Sequence, residues 1–253
     1  MGQDRQINIR NIAKGNQKMT TYLSHMNNFD ESKAFERRVE YLIYNFKNYL
    51  NKLTADSRIL EIGPGKGELI YLLNKIGVIN IDIIDNDSAI ITYCKKTFNI
   101  KKAILAKSLD MGKSLSGHYD LIILTQVFEH IPKSSYMNWI KALYSALNPG
   151  GHIIITVPNG ANPLVGTERY GDLQHENIFT IYSFKELVTF AGLKNSTYTI
   201  QGFEISPKNI VNIVRIILQK ILHCIFILLM IINGGIYQTL MTPNITLIIK
   251  KNK

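Results

Sequence analysis

The stretch Arg58–Leu73, RILEIGPGKGELIYLL, decides the fold of this chain. A short apolar run over 59–62 is followed by three glycines within five residues, and then by leucine and isoleucine at helical spacing. This order predicts a strand, a tight turn and a helix. Glycine permits the unusual φ values of a sharp reversal and leaves the backbone bare, so the amides that open the new helix can face an anionic group.

The spacing of these glycines distinguishes between ligands. A dinucleotide-binding fingerprint has its third glycine three positions after the second, where this chain has Glu68. The turn instead resembles the E-x-G-x-G-x-G motif of class I S-adenosylmethionine-dependent methyltransferases. The resemblance implies S-adenosyl-L-methionine as cofactor, held by the residues of the turn: Glu61, Gly63, Pro64, Gly65 and Gly67. The alternative is a loop that only links a strand to a helix.

Composition and charge limit the class of protein. The chain has 253 residues, 46% of them hydrophobic and 19% charged, which fits one globular α/β domain with additions. Its net charge of +10 favours anionic partners such as nucleotide-linked sugars, phosphorylated glycans, nucleic acid or an acidic membrane face. The excess is mostly lysine in a chain rich in isoleucine and asparagine, so compositional bias explains it equally well. Since no dense basic block is present, we expect no nucleic-acid partner.

The cysteines and the first residues bear on metal content and compartment. Cys94 and Cys224 are far apart and have no metal-ligand spacing, so we expect no metal. The polar start MGQDRQINIR has no signal-peptide pattern. We therefore expect a cytoplasmic protein.

Residues 1–53 are predicted to form an N-terminal helical cap, because apolar side chains between Phe35 and Leu50 recur at amphipathic spacing. In the family that the glycine turn resembles, such additions close over the cofactor. Tyr22 and Arg38 would then reach its methionine end, although ordinary packing explains both residues as well.

A second strand is predicted over Asn80–Ile84, followed by Asp85 and Asn86. An acidic residue at the carboxyl end of the second strand is where a doubly wound fold binds ribose hydroxyls, and a carboxylate can accept from both. We therefore assign Asp85 and Asn86 to the cofactor. Asp87 is predicted to be the N-cap of a helix over Ser88–Thr97.

A third strand, Ala103–Ala106, leads to the segment where the family usually places an acidic residue near the adenine. The register is ambiguous here. Ser108 or Asp110 could contact the adenine amino group, and Leu109 could cover a face of the ring.

The segment Tyr119–Pro132 resembles the fourth-strand motif of the same family, with Gln126 at the end of the strand beside the cofactor. A helix over Ser134–Leu147, a turn at 149–151 and a strand over His152–Val157 continue the alternation of a parallel sheet. We expect an α/β, Rossmann-like doubly wound sheet, mostly parallel with a C-terminal antiparallel strand. The predicted domain consists of 54–206 and 242–253.

Open α/β sheets bind ligands beyond the carboxyl ends of their strands, which directs attention to the long loop Pro158–Thr180. Its last part and the residues up to Leu193 resemble methyltransferases of bacterial surface-polysaccharide (capsule and lipopolysaccharide) biosynthesis. The resemblance implies an anionic sugar or nucleotide-sugar acceptor. We assign its binding to four loop residues: Asn159, Arg169, Tyr170 and Asn177.

Two histidines are candidates for the chemistry. A sugar hydroxyl is a poor nucleophile at neutral pH, and a positioned histidine can take its proton. His175 is our first candidate and His130 the second. For an acceptor that is already an anion, such as a phosphate or phosphoramidate, no base is needed, and both histidines would only position it.

The segments Thr197–Gln201 and Thr246–Ile249 are predicted to be the antiparallel pair that closes the sheet, with an apolar helical insertion over 207–241 between them. The uninterrupted apolar run 224–232 is shorter than the ~20 residues of a membrane span. Three interpretations stay open: a lid or homodimer surface packed on the domain, a helix docked through 207–236 on the inner membrane face, and a genuine span.

These patterns predict an S-adenosylmethionine-dependent O-methyltransferase that acts on a sugar hydroxyl, or on a sugar-linked phosphate or phosphoramidate, in capsule or lipopolysaccharide biosynthesis. The alternatives are a methyltransferase of a small hydrophobic acceptor such as a quinone precursor, and a cofactor-binding relative without activity.

Overall fold

The computed structural model describes residues 31–106, 115, 117–235 and 238–253. Seven strands form one sheet in the order β3-β2-β1-β4-β5-β7-β6. They are β1 (Arg58–Ile62), β2 (Asn80–Asp85), β3 (Lys102–Leu105), β4 (Tyr119–Thr125), β5 (Leu147–Pro158), β6 (Ser196–Gly202) and β7 (Asn244–Lys251). Strands β1 to β5 are parallel, and β7 runs antiparallel to both β5 and β6. The predicted Rossmann-like sheet is confirmed.

Continuous apolar runs explain why β1, β2 and β4 form the centre of the sheet. Nearly every side chain in these strands is buried, which is the pattern of parallel strands covered by helices on both faces. The parallel pairs place Ile62 beside Ile84 and beside Leu124. The carboxyl ends of the three strands therefore meet at one edge, where a doubly wound fold binds its ligands.

The covering helices have the following bounds. They are α1 (Glu31–Leu50), α2 (Glu68–Lys75), α3 (Ser88–Thr97), α4 (Tyr136–Ser145), α5 (Gly166–Tyr170), α6 (Ile181–Ala191) and α7 (Ile210–Ile232). The predicted bounds of α3 are met, with the Asp87 carboxylate accepting from the Ala89 amide at 2.7 Å. The predicted helix after β4 is shorter than expected, because 133–135 forms a 3₁₀ turn and α4 ends at Ser145.

The N-terminal helix α1 is part of the main domain rather than a separate cap. Leu42, Phe46 and Leu50 are buried in the same core as β1 and α2. The ring of Phe46 packs edge-on against Phe203, which directly follows β6, at 5.8 Å between centroids. The predicted boundary at residue 53 does not separate two cores, since the apolar face of α1 is buried against the sheet layer.

The amino ends of the central strands are fixed by polar side chains. The Tyr119 hydroxyl donates to the Asp82 carboxylate at 2.9 Å. Asp120 accepts from the Arg58 amide at 2.8 Å and from the Asn148 side chain at 2.7 Å. The Tyr-Asp pair that begins the fourth-strand motif therefore holds the end of the sheet opposite to the ligand edge.

The apolar insertion between β6 and β7 contains the single helix α7, 23 residues long, in which no residue is buried. By length and composition it is the one helix among the described residues that could cross a membrane. Since none of its residues is buried, α7 is not a closely packed lid on the domain. The expectation against a span rested on the short run 224–232 and on the polar residues Arg215, Gln219, Lys220 and His223 within 210–232. The helix is continuous from Ile210, so its length alone permits a span.

Candidate cofactor and acceptor site

The glycine turn between β1 and α2 is a tight backbone cradle. Gly63, Gly65 and Gly67 have φ values of 70°, 53° and 80°, in the left-handed region that favours glycine. A Cβ on Gly63 would lie 2.3 Å from Val127 Cγ2, and one on Gly67 would lie 2.2 Å from Phe98 Cε2. Packing and backbone conformation thus both require glycine at these two positions. Pro64 is buried within the turn, and its carbonyl accepts from the Gly67 amide at 2.8 Å.

Glu61 leads into this turn and is 6% exposed. Its Oε2 is buried and has no hydrogen-bond partner among the described residues. Burial raises the pKa of the Glu61 carboxyl well above its usual range, and the charges of Glu68 and Asp85 add to the effect. A buried carboxylate without a partner beside a bare backbone turn suits a ligand that brings hydrogen-bond donors and positive charge, as S-adenosylmethionine does.

Asp85 ends β2 opposite the turn and is 6% exposed. Its Oδ1 accepts from the Asp87 amide at 2.8 Å, and Asn86 beside it is exposed. Burial raises the pKa of the Asp85 carboxyl to about 6, against the lowering effect of the Asp87 and Asn86 amides. The structure thus brings Asp85 to the same sheet edge as the glycines, as the predicted ribose contact requires.

The other predicted cofactor contacts have different outcomes. The Arg38 guanidinium forms an ion pair through Nε with Glu68 at the start of α2, which ties α1 to the turn. Tyr22 and the predicted adenine contacts Ser108, Leu109 and Asp110 lie outside the described residues.

Gln126 follows β4 with φ 55°, a left-handed conformation that is uncommon for a residue other than glycine. Its backbone amide donates to the Thr156 carbonyl at 2.9 Å, and its side-chain nitrogen donates to Asn244 Oδ1 at 2.9 Å. These bonds fix the point at which the chain leaves the sheet. The next residue, Val127, packs on the bare Cα of Gly63, so the loop after β4 lies directly beside the glycine turn.

Glu129, His130 and His175 come together just beyond this point. The Glu129 carbonyl accepts from the amides of Glu176 and Asn177 at 3.0 and 3.2 Å, which holds the long loop against the end of β4. The rings of His130 and His175 are consequently 4.6 Å apart between centroids, at an angle of 64°. The two predicted catalytic histidines, 45 residues apart in the chain, thus belong to one site.

The protonation of this cluster follows from its burial. Glu129 is fully buried, and burial raises the pKa of its carboxyl to about 8. Burial also lowers the pKa of His130, and the neighbouring His175 lowers it further. His130 Nδ1 lies 3.2 Å from the Gln174 carbonyl. Since a carbonyl can only accept, Nδ1 carries the hydrogen and the Nε2 lone pair is available to a proton or a ligand.

This cluster can also hold a metal ion, contrary to the expectation of no metal. One ligand atom from each of Glu129, His130 and His175 lies within 4.8 Å of the others. Neither Glu129 carboxylate oxygen has a hydrogen-bond partner among the described residues. Cysteine and histidine spacing did not reveal this group, because its members meet only through the folded loop. The available signal was an acidic residue inside the apolar run Val127–Ile131.

Asn159, predicted to bind the acceptor, is fully buried and already engaged. Its side-chain nitrogen donates to the carbonyls of Leu240 and Thr242 at 2.9 Å each, and its Oδ1 accepts from the Ala161 amide at 3.0 Å. Asn162 similarly donates to the Met241 carbonyl at 3.0 Å. The acceptor assignment of Asn159 is wrong, because its amide groups fasten the long loop to the segment before β7.

The other predicted acceptor residues remain available. Arg169, on α5, has a buried Nη1 without a hydrogen-bond partner among the described residues, and its guanidinium lies 5.5 Å from the ring centre of Tyr170. Tyr170 is 76% exposed. Asn177 is half-buried beside Tyr136, whose buried hydroxyl has no partner among the described residues and was missed by the sequence reading. Burial raises the pKa of that phenol.

Comparison with known proteins shows the family to which this chain belongs. A family model described as a methyltransferase domain matches residues 35–198, from α1 into β6. The chain therefore belongs to this methyltransferase family, and it is an S-adenosylmethionine-dependent methyltransferase with S-adenosyl-L-methionine as its cofactor. No curated protein sequence matches the chain.

Solved structures similar to the chain share its fold. An S-adenosylmethionine-dependent methyltransferase from Archaeoglobus fulgidus is 18% identical, with 88% of this chain and 100% of that chain covered and a TM-score of 0.58. The plantazolicin methyltransferase BamL, in complex with a triazolic desmethylplantazolicin analogue and S-adenosylhomocysteine, is 18% identical over 92% of this chain and 94% of that chain, with a TM-score of 0.56. An O-methyltransferase family protein from Burkholderia thailandensis is 13% identical over 93% of this chain and 63% of that chain, with a TM-score of 0.53.

Proposed function

We propose that this methyltransferase transfers the methyl group to an oxygen of a sugar, or of a phosphate-type group on a sugar, in surface-polysaccharide synthesis. The observation that carries the proposal is the pairing of His130 with His175 by the Glu176 and Asn177 amides, in the loop whose Val127 packs on the glycine turn. When bound, S-adenosylmethionine supplies an electrophilic methyl group. The protein has to hold an acceptor oxygen in line with it and exclude water.

The two histidines suit an acceptor hydroxyl. The Gln174 carbonyl fixes the Nδ1–H form of His130, and the low pKa of this ring keeps it neutral near pH 7. His175 lies in the half-buried loop on the acceptor side and is the first candidate to take the hydroxyl proton. A positioned base of this kind contributes about 10²–10⁴-fold to the rate.

Arg169 supports an anionic acceptor. A guanidinium nitrogen that is buried without a partner is costly unless an anion meets it on binding. A guanidinium also presents parallel donors that match a phosphate or carboxylate. The net charge of +10 favours the same class of acceptor. A sugar linked to a nucleotide or carrying a phosphate satisfies Arg169 and still offers a hydroxyl to the histidines.

A second candidate is a small hydrophobic acceptor such as a quinone precursor, which the exposed apolar face of α7 favours. Such an acceptor has no anion for Arg169. The two candidates therefore differ in whether loss of the guanidinium affects turnover.

The test is a methyl-transfer screen with radiolabelled S-adenosylmethionine over nucleotide-activated heptoses and hexoses, phosphorylated sugars and polyprenyl phenols. We expect label on the anionic sugars. Arg169→Ala should raise KM for them at least tenfold, while Lys185→Ala, which removes an exposed lysine of α6, should not. Label only on the phenols would contradict the proposal.

Histidine variants then identify the acceptor oxygen. His175→Ala should lower kcat for a hydroxyl acceptor by about 10²-fold or more, because the proton has lost its base. The same change should leave kcat nearly unaffected for a phosphate oxygen, which is already ionised. Product analysis by mass spectrometry and NMR locates the new methyl group.

A further inference from the structure

We infer that Glu129, His130 and His175 bind a first-row divalent cation. Two imidazoles and one carboxylate form a donor set that suits manganese, iron, cobalt or zinc better than magnesium or calcium, which prefer all-oxygen ligands. The three ligand atoms lie within 4.8 Å of one another, and ligand bonds of about 2.0–2.2 Å require only a small contraction of the cluster.

Three features of the cluster separate it from a chance group of polar residues. Glu129 is fully buried and both its oxygens lack a hydrogen-bond partner among the described residues, so no described protein group compensates the burial of this carboxyl group. The Gln174 carbonyl binds His130 Nδ1, which directs the Nε2 lone pair to a ligand, as carbonyls do for metal-binding histidines. The loop that carries His175 is fixed by two amides on the Glu129 carbonyl.

The role of the cation rests on the proposed function. An acceptor hydroxyl bound to the cation has a lowered pKa and loses its proton to water. The oxygen lone pair then forms the bond to the methyl carbon while the carbon–sulfur bond breaks and its electrons remain on sulfur. In this arrangement both histidines are ligands rather than bases, so the loss of kcat expected for His175→Ala would come from loss of the cation.

Binding is tested on the full chain after removal of metals with a chelator. Titration with Mn²⁺, followed by electron paramagnetic resonance, and with Zn²⁺, followed by calorimetry, should show one site. His175→Ala and Glu129→Gln should each weaken it at least tenfold. His118→Ala removes an exposed histidine elsewhere and should leave it unchanged. Retained binding of S-adenosylhomocysteine shows that each variant is folded.

The outcomes separate this inference from the proposed function. Absence of stoichiometric Mn²⁺ or Zn²⁺ binding by folded protein overturns the cation site, as does equal binding by His175→Ala. Full methyl transfer to a sugar by chelated protein also overturns it and leaves the proposed function intact. Binding that depends on Glu129 and His175, without methylation of any sugar, supports the cation site and counts against the proposed acceptor.

A separate observation carries a second inference: we propose that α7 lies in the plane of an anionic membrane surface. Exposed apolar side chains occur along its whole length. The first, Ile210, and the last, Ile232, are both 71% exposed. No residue of the helix is buried on the domain. Such a helix is normally covered by apolar material outside the domain.

The ends of α7 show that it cannot cross the bilayer. At its beginning, Lys208 forms an ion pair with Glu40 at 3.3 Å, and Asn212 donates to the Ser206 carbonyl at 2.8 Å. After its end, the chain is back on the domain at Gln238, whose side-chain oxygen accepts from the Ile181 amide at 3.1 Å. Six residues from Ile232 to Gln238 reach at most ~22 Å. A span would require the chain to recross a hydrocarbon core of about 30 Å in that segment.

Charge identifies the surface. Residues 205–253 contain no aspartate or glutamate. Their charged side chains are all cationic: Lys208, Arg215, Lys220, Lys250, Lys251 and Lys253. Basic residues near an anionic leaflet strengthen binding, in addition to the burial of apolar side chains, and Arg215 and Lys220 lie on α7 itself. A second copy of this chain would bring the same two cations of α7, Arg215 and Lys220, to the contact.

Vesicle flotation tests the docking. The full chain should float with vesicles that contain phosphatidylglycerol, less with phosphatidylcholine alone, and less at high salt. Changing Ile225, Leu228 and Leu229 to glutamine should abolish flotation. The matched changes of Ile79, Leu105 and Phe190, all exposed outside α7, should not. Failure to float, with a dimer by analytical ultracentrifugation, would assign the apolar face to self-association and overturn the proposal.

Labelling tests the orientation. In a Cys224→Ser background, Asn233→Cys places a thiol at the far end of α7. When the protein is added to the outside of vesicles, a membrane-impermeant maleimide in the outer solution should label this thiol. Protection from outside with labelling only after detergent would indicate a span and contradict the in-plane arrangement.

Discussion

At the scale of single residues, the pKa of Asp85 connects cofactor binding to pH. Burial raises this pKa to about 6, and an ionised carboxylate is the form that accepts from both ribose hydroxyls. Bound ribose therefore favours ionised Asp85, so affinity is full above pH 6 and falls as the pH drops below it. We expect the Kd of S-adenosylhomocysteine, measured by calorimetry, to rise by up to tenfold per pH unit below pH 6.

Asp85→Asn is the control for this pH effect. It should weaken binding by about 10–100-fold at pH 7.5, since a hydrogen bond to a charged group contributes about 1.5–3 kcal/mol. The Kd of S-adenosylhomocysteine for this variant should not change between pH 5 and 7. A slope that persists in Asp85→Asn would assign the titration to another group.

Gly63 shows how a single missing side chain brings two loops together. In Gly63→Ala the new methyl group meets Val127, and the left-handed backbone is strained as well. We expect at least a tenfold loss of S-adenosylhomocysteine affinity and a lower melting temperature. Adding Val127→Ala should restore the affinity lost through the clash. The affinity lost through the strained left-handed backbone should not return. Gly65→Ala, where a Cβ meets nothing, should resemble the rescued double variant.

At the scale of elements, much of the fold could be predicted from local chemistry. The bounds of α3 followed from Asp87 as N-cap, and the strand, turn and helix of 58–75 followed from the glycines. The approach of His175 to His130 could not be predicted, because it depends on two loop amides that bind the Glu129 carbonyl. An asparagine in a polar loop likewise gives no sign of whether it binds a ligand or the loop itself.

Asn159 provides a test of that distinction. Asn159→Ala leaves two carbonyls and one amide of the buried loop base without partners, so we expect the free energy of unfolding in denaturant titrations to fall by about 2–4 kcal/mol. Asn138→Ala, at an exposed position of α4, should change it by less than about 0.5 kcal/mol. Unchanged stability of Asn159→Ala together with a raised acceptor KM would restore the acceptor role.

At the scale of the whole molecule, the site and the apolar helix α7 differ in how they are attached to the domain. The ligand edge is a set of loops locked by backbone hydrogen bonds around buried, unpartnered polar atoms. The helix α7 lies outside the core and is tied to the domain by polar contacts near its beginning and by the chain that returns at Gln238. Catalysis and surface docking are therefore separable, since neither depends on the packing of the other.

Deletion of α7 tests this separation. Replacing residues 209–235 by a short Gly-Ser linker removes no buried side chain, and β6 and β7 keep their antiparallel register. We expect one cooperative unfolding transition within a few degrees of the parent, and an S-adenosylhomocysteine Kd within about twofold. Flotation should be lost, because the apolar face is gone. A broad transition or weakened cofactor binding would mean that α7 stabilises the domain itself, and its exposed face would then require a protein partner.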